Sequence, residues 1–220
     1  GGMRAWNALF QGRPTSEQGN IFKREWWQFY DVLPERFPLK VISVDAAFKD
    51  NPDNDFVAIE VWGKLNADFY LIDVIKRRMD FPETIRAIKA MNQKYPDRHS
   101  ILIEDKANGP AIISMLRHEI SGIIPITPQG SKIARANAVC GIIESGNVYL
   151  PRYADYTSDF IEELASFPNG VHDDLVDSCT QFLNKFKFFD AKLIDDTKTQ
   201  LEKDLLRYKN KVLKGTKKSW

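Results

Sequence analysis

The stretch VISVDAAF, residues 41 to 48, decides the fold class. Its apolar and β-branched residues predict a buried strand, because such side chains pack well on a pleated sheet. Asp45 lies inside this run, between Val44 and Ala46. An ionised carboxylate on a buried strand is costly unless it is paired or coordinated. The stretch therefore predicts a central strand that carries either a turn acid or a functional carboxylate.

Two further strands follow this first one. They are FVAIEVWGKL at 56–65 and FYLIDVIKRR at 69–78, and the short separations predict an antiparallel meander of three strands. The period then changes, since Ile85, Ile88, Met91 and Tyr95 recur at helical spacing. A helix is therefore predicted over residues 81–95.

Strands and helices alternate in the rest of the chain. The predicted strands are SILIE at 100–104, GIIPIT at 122–127 and NVYL at 147–150. The predicted helices begin at Gly109, with Ile112, Leu116 and Ile120 on one face, and lie over 131–146, over 158–167 and from HDDLVDS at 172–178 onward. This order predicts an α/β fold in which a mixed sheet, with a three-strand meander and further parallel strands, is flanked by helices.

The two ends of the chain differ from this central region. Residues 1–38 predict a linker whose tryptophans are anchored on a folded surface, and Gly1-Gly2-Met3 is typical of a cloning remnant, so the natural chain is expected to be longer. Residues 39–190 are the predicted domain. Residues 191–220 predict a basic helical tail that either frays in solvent or contacts DNA or a partner.

Composition sets limits on the function. Lys plus Arg number 31 and Asp plus Glu number 30, so a nucleic-acid surface would have to be local. No apolar run approaches the roughly 18 residues of a membrane span. Cys140 and Cys179 have neither disulfide-framework nor zinc-ligand spacing, which favours a reducing cytosolic setting.

Acidic residues concentrate at three places. They are Asp45, the pair Glu104 and Asp105 that closes SILIED, and the helix start with Asp173, Asp174 and Asp177. Strand ends and helix N-termini are where sites assemble in α/β proteins, so the three places could converge. Each also has a structural explanation: a turn at Asp45, a pair between Glu104 and Lys106, and helix-dipole stabilisation by the aspartates.

A helical wheel ranks the aspartates. With His172 at 0°, the apolar face centres near about 330°, Asp173 lies at about 100°, Asp174 at about 200° and Asp177 at about 140°. The wheel predicts Asp173 as the best inward ligand, Asp174 as the second, and Asp177 as solvated or supporting the ligands. His172 falls on the apolar face, where it either packs on the core or positions a water or the scissile phosphate.

Converging carboxylates repel one another unless a cation lies between them. Hard oxygen ligands without cysteine favour Mg²⁺ or Mn²⁺. Two such ions could support phosphodiester cleavage.

The acids in this order resemble a known family. VISVDAAF, ILIED and HDDLVD are similar to the motifs of the RNase H-like nuclease domain of the large terminase subunit of tailed bacteriophages. NALFQGRPTSEQGNIFKREWWQFYDVLP resembles the segment that joins the family's packaging ATPase to its nuclease, and PQGSKIARANAVCGIIESGNVYLP resembles its Lys/Arg helix and short strand. The resemblance covers roughly residues 4 to 187.

The resemblance implies an RNase H-like fold and an endonuclease that cuts concatemeric double-stranded viral DNA during packaging. It implies metal ligands at Asp45, Glu104 and Asp173, with Asp174 close by. The partners it implies are an ATPase domain of the same protein, the small terminase subunit and the portal protein, in the cytoplasm of a bacterial host. The phosphate-binding motif of an ATPase is absent from this sequence, as expected of a nuclease fragment.

The basic residues expected to contact DNA are Lys132 and Arg135, on one face of the predicted helix, and Lys106 after Glu104. Two alternatives stay open. One is a different RNase H-like nuclease, such as a RuvC-like resolvase or a transposase. The other is a DNA-docking module whose acids serve only structure.

Overall fold

The structure is a computed structural model that describes residues 20–46 and 56–190. In this part of the chain, seven strands form one sheet: β1 Gln28–Tyr30, β2 Leu39–Asp45, β3 Phe56–Leu65, β4 Asp68–Arg78, β5 Ser100–Glu104, β6 Ile123–Ile126 and β7 Val148–Pro151. Five α-helices flank it: α1 Phe81–Lys94, α2 Gly109–Leu116, α3 Lys132–Glu144, α4 Thr157–Ser166 and α5 Asp174–Phe186. The mixed sheet flanked by helices confirms the predicted fold class.

The sheet has the order β1-β7-β4-β3-β2-β5-β6. β3 pairs antiparallel with both β2 and β4, which confirms the predicted meander. All other neighbours pair in parallel. The carboxyl ends of β2, β4, β5 and β6 therefore lie at one edge of the sheet, together with the start of β3.

Side chains on the two faces of the sheet enter two separate cores. Val41 of β2 belongs to the core with α3, α4 and α5, whereas Ile42 and Val44 belong to the core with α1 and α2. Alternate residues of a strand share a face, so Ser43 and Asp45 point the same way as Val41. Ser43 does so, since its Oγ donates to the carbonyl oxygen of Ser178 in α5 at 2.8 Å. Asp45 thus faces α5.

A capping box fixes where α1 begins. In α1, the Asp80 side chain accepts from the backbone N–H of Glu83, whose own side chain accepts from the backbone of Asp80. Helix α2 is shorter than predicted. It ends at Leu116, and Ile120, which was predicted to lie on the apolar face of the helix, is buried but follows the turn after the helix. Among the described residues, no helix combines the length and the apolarity that crossing a membrane requires.

Residues 20–30 pack on the sheet and its core, in the segment where the sequence predicted a linker with its tryptophans anchored on a folded surface. Phe22 and Trp27 are buried in the core, and β1 pairs in parallel with β7. Three residues are too few to show the alternation by which a strand is recognised. The first 19 residues, with Trp6, and the predicted tail at 191–220 lie outside the described residues.

Candidate active site

Two carboxylates lie at the ends of adjacent central strands. Asp45 ends β2 and is 6% exposed, and Glu104 ends β5 and is half-buried. The strands pair in parallel with Val44 opposite Ile103, so the next residue on each is an acid. Because paired strands are roughly 4.8 Å apart, the two acids are neighbours on the face that packs against α5.

A glycine allows the close approach of α2 to the end of β5. Gly109 is the first residue of α2, and a Cβ atom there would lie 1.8 Å from the carbonyl oxygen of Glu104. No side chain fits in this space, since a backbone oxygen cannot swing aside as the end of a flexible side chain can. Gly109 therefore helps to fix the backbone that carries Glu104.

The start of α5 is held by a glutamate from α4. Asp173 is the N-cap residue but accepts no capping hydrogen bond with its side chain. Instead, the backbone N–H of Leu175 donates to Oε1 of Glu163 at 2.8 Å. Glu163 also forms an ion pair with Lys76 of β4, whose Nζ lies 3.8 Å from Oδ2 of Asp174. An N–H of the helix start that has no partner within the helix is thus satisfied by Glu163, which the sequence did not single out.

Asp177 is buried, with 5% exposure, which rules out the first of its two predicted alternatives, a solvated residue, and leaves the second, a residue that supports the ligands. Its Oδ1 accepts from Nη2 of Arg135 at 2.7 Å, and its Oδ2 lies 2.6 Å from Nζ of Lys132. Asp173 is more exposed and pairs with the same lysine at 2.6 Å. The aspartate ranked last by the helical wheel is therefore the one most enclosed by protein.

The wheel failed because α5 is covered on more than one side. Every residue from Leu175 to Leu183 is buried, since the helix packs on β2 and β3 and also against α3 and α4. A wheel locates the most apolar side of a helix. It cannot show that the opposite, polar side is also buried, because that burial depends on hydrogen-bond and ion-pair partners from other elements. Gln181, which donates to the Ser43 hydroxyl of β2, lies on that polar side with Asp177.

Asp45 lies in an environment that disfavours its charge. Burial raises the pKa of Asp45 well above its ordinary value, and the charges of Asp177, Glu104 and Asp174 raise it further, while Lys132 opposes them. Four carboxylates from two strands and one helix therefore interact electrostatically at the sheet edge. Repulsion of this kind is relieved by a proton or by a cation among the carboxylates.

Glu104 and Asp174 are perturbed in the same direction. Burial raises the pKa of Glu104 and the charge of Asp177 adds to it, against the charges of Arg135, Lys106 and Lys132. Burial, followed by the charge of Glu163, raises the pKa of Asp174 to about 6, although Lys76 opposes the shift. Acids with raised pKa values gathered at one place are typical of functional sites.

His172 lies outside α5 and is exposed, although the wheel placed it on the apolar face. Its ring contacts Phe56 at the start of β3, edge to face, with 4.8 Å between centroids. Two cations also lie over the Phe56 ring: the Lys76 ammonium is 4.9 Å and the Arg78 guanidinium 5.1 Å from the ring centroid. Positive groups therefore surround Phe56 at the edge that carries the acids.

A cleft of about 490 Å³ opens beside Glu104. It lies between the ends of β5 and β6 and the helices α3 and α5, and its polar lining includes Gln129, Arg135, Asn184 and Lys185. The acid cluster thus borders an open, partly polar cavity.

The sequence itself then identifies the family. Residues 42–186 match the family described as the terminase RNaseH-like domain. The chain belongs to this family. The match contains both strand-end acids and the whole acidic start of α5. No curated protein matches the chain.

Solved structures of terminases share the fold. The large terminase nuclease of thermophilic phage G20c with bound zinc is 16% identical, with a TM-score of 0.58, covering 74% of this chain and 97% of that one. The same nuclease with bound magnesium is 16% identical, with a TM-score of 0.57, and the match covers 76% of this chain and 97% of that one. The large terminase of a second thermophilic bacteriophage, in complex with ADP, is 12% identical, with a TM-score of 0.59. The chain covers 44% of that protein, and 77% of the chain is matched.

The donor chemistry of this terminase-family site fits a hard divalent cation, because every acid of the cluster offers carboxylate oxygens. The arrangement as it stands is different. Within residues 20–46 and 56–190, no three His, Cys, Asp or Glu side chains are grouped to hold one metal ion. Protein cations lie against the cluster instead: Lys132 and Arg135 at Asp177, and Lys76 near Asp174. Burial lowers the pKa of Lys132, but the hydrogen bonds to Asp173 and Asp177 and the charges of these two aspartates together raise it by more.

Proposed function

We propose that the chain is the nuclease part of a large terminase, a divalent-metal-dependent endonuclease that cuts double-stranded concatemeric viral DNA during packaging. The observation that carries the proposal is that Asp45 and Glu104 end paired parallel strands on the face that packs against α5, whose start bears Asp173, Asp174 and Asp177. Membership of the terminase family supports it, as do the zinc, cobalt and magnesium bound to the G20c nuclease.

The residues proposed to hold metal are Asp45 and Glu104, together with acids from the start of α5. Asp173 and Asp174 are the sequence-based candidates, and Asp177 joins them because its charge acts on both strand-end acids. Two ions, Mg²⁺ or Mn²⁺, would supply Lewis acidity toward the scissile phosphate and the leaving oxygen.

The protein residues have their own parts in the proposed reaction. Arg135 fixes Asp177, and Ser178 fixes α5 on β2, so the acids keep their positions when substrate binds. His172, at the edge of the cluster, can position the scissile phosphate or a water.

Basic residues on both sides of the acids are proposed to bind the DNA backbone. Arg77 and Arg78 are exposed at the end of β4, and Lys106 is exposed after the end of β5. Lys132 and Arg135, predicted to contact DNA, bond to aspartates in this structure. Phosphate contacts carry no base information, so a weak sequence preference is expected. An ATPase domain, a small terminase subunit and a portal protein are the proposed partners of the full-length protein.

The deciding experiment is plasmid cleavage with Mn²⁺ by purified Asp45→Asn. We expect cutting to be abolished while circular dichroism and the melting temperature show a folded protein. Asp159→Asn, an exposed aspartate in the first turn of α4, is the matched control and should cut normally. Undiminished cutting by Asp45→Asn would reject the proposal, and preference for four-way junctions over linear duplexes would favour a resolvase.

A further inference from the structure

Lys132 bridges two aspartates of the acid cluster. Its ammonium nitrogen is 2.6 Å from Oδ2 of Asp173 and 2.6 Å from Oδ2 of Asp177. It is the first residue of α3, so it reaches across from a different helix. One positive charge therefore lies between two carboxylates of the cluster, where a bound cation would also have to interact with them.

Arg135, one turn further along α3, is held more tightly. Its side chain is 13% exposed and donates to the other oxygen of Asp177 at 2.7 Å. Its carbonyl oxygen accepts from Nδ2 of Asn184 in α5 at 2.9 Å, which ties the two helices together at this point. A planar guanidinium in this setting stays with its carboxylate.

Lys132 has more freedom to leave. Its side chain is 47% exposed, and its four-carbon stem can turn toward solvent. The helix start does not depend on that side chain, because the Ser131 hydroxyl accepts from the backbone N–H of Ala134 at 3.1 Å. The ammonium can therefore move while Arg135 keeps Asp177 in place.

We propose that Lys132 is a built-in counter-ion of the acid cluster, which a divalent cation displaces from Asp177. The inference rests on the proposed function, since it concerns how the same acids come to hold metal. A divalent cation on Oδ2 of Asp177 and an ammonium 2.6 Å from that oxygen would repel each other strongly at such short range. Arg135 on Oδ1 can remain.

Displacement has two consequences. The lysine stabilises the ionised acids in the metal-free protein. Because the ammonium and the metal ion compete for the same carboxylate, the lysine also lowers the affinity of the acids for metal. Once released, the ammonium lies beside the cluster on a flexible stem. It is then available to a DNA phosphate, so metal loading and DNA contact would be coupled through one side chain.

The test is calorimetric titration of Mn²⁺, without DNA, into the wild type, Lys132→Met and Lys106→Met. Lys106 is the matched control because its charge also acts on Glu104, yet its side chain has no hydrogen bond to an acid among the described residues. We expect Lys132→Met to bind Mn²⁺ at least about fivefold more tightly than the wild type, and more tightly than Lys106→Met does. The displacement would be contradicted if Lys132→Met bound Mn²⁺ with the affinity of the wild type, or if both variants gained the same affinity for Mn²⁺. Either result would leave the proposed function standing.

A second measurement uses the wild type, in case the variant does not fold. The Lys132 side-chain NMR signal should move toward that of a free, exposed lysine when Mg²⁺ saturates the protein. A signal that stays unchanged at saturation contradicts the proposal. If no protein binds Mn²⁺ or Mg²⁺ at all, the metal centre itself is wrong, and both proposals fall together.

Discussion

Arg135 and Asp177 form a buried ion pair between α3 and α5, with Nη2 of the arginine 2.7 Å from Oδ1 of the aspartate. Their side chains are 13% and 5% exposed. The pair fixes the carboxylate that interacts with both strand-end acids, and it does so with a residue 42 positions away in the sequence.

Removing this arginine should weaken the fold. We expect Arg135→Met to lower the free energy of unfolding by roughly 2 to 3 kcal/mol, below the usual cost of breaking a buried pair because Lys132 still contacts Asp177. Chemical denaturation measures the loss. Lys185→Met, an exposed cation on the neighbouring helix, should stay within about 0.5 kcal/mol of the wild type, and an equally small loss in Arg135→Met would show that the pair is not structural.

Two of the aspartates at the start of α5, Asp177 and Asp173, should differ in importance. Asp177→Asn should reduce Mn²⁺-dependent nicking at least about 100-fold, because its charge acts directly on Asp45 and Glu104. Asp173→Asn should have the smaller effect, since its side chain is 38% exposed. Initial rates of plasmid nicking measure both. A larger loss for Asp173→Asn would restore the ranking that the helical wheel predicted.

Gly109 should not tolerate even a methyl group. A Cβ atom at this position would meet the Glu104 carbonyl oxygen at 1.8 Å, so the strand end or α2 must move. We expect Gly109→Ala to cost about 1 to 3 kcal/mol of stability and to reduce cleavage as well. Thermal melts and nicking assays measure these effects.

Gly141 provides the matched control for that change. It lies in α3, and a Cβ atom added there would have nothing within 4 Å outside its own helix turn. Gly141→Ala should therefore stabilise the protein by about 0.5 to 1 kcal/mol through helix propensity. Equal effects of the two substitutions would contradict the close packing of α2 on β5.

Glu60 should make stability depend on pH. It is fully buried in β3, and Nε1 of Trp62 donates to its Oε2 at 2.7 Å. Burial raises the pKa of Glu60 well above the ordinary 4.5, with the Trp62 hydrogen bond opposing and the charge of Glu163 adding to the shift. The folded protein therefore keeps this proton more tightly than the unfolded chain does.

The sign follows from that difference in proton binding. The stabilising contribution is fully present below pH 4.5 and is lost as the pH rises toward the raised value of the folded state. Glu60→Gln stays neutral, so its stability relative to the wild type should grow with pH, by up to about 1.4 kcal/mol per pH unit. Melting curves from pH 5 to 8 measure this, and a constant difference would mean that Glu60 does not titrate in that range.

Arg77 and Arg78 should contribute to DNA binding. Both are exposed at the end of β4, beside the acid cluster. Replacing both with alanine should weaken binding to duplexes of any sequence and reduce the salt dependence by about one unit of slope per lost phosphate contact. Fluorescence anisotropy at several salt concentrations measures this. An unchanged slope would place the DNA elsewhere.

The local pattern was enough to predict most elements and two of the acids. The apolar, β-branched runs VISVDAAF and SILIE predicted buried strands with Asp45 inside the first and Glu104 at the end of the second, and β5 has the predicted bounds, Ser100–Glu104. These predictions succeed because, in a strand of five or more residues, the pattern of apolar residues indicates that the strand is buried. β1 has only three residues, which are too few to show such a pattern, so it was not predicted.

Tertiary structure alone decided which side of α5 faces the acids. The sequence of that helix shows its apolar side, but its polar side is also buried, against α3 and β2. The partners that make this burial possible, Lys132, Arg135 and Glu163, come from other helices. Periodicity along one helix carries no information about charges that another element brings to it. The acids and the helix that carries them could therefore be predicted from the sequence, whereas their partners and their ranking depended on how the helices pack.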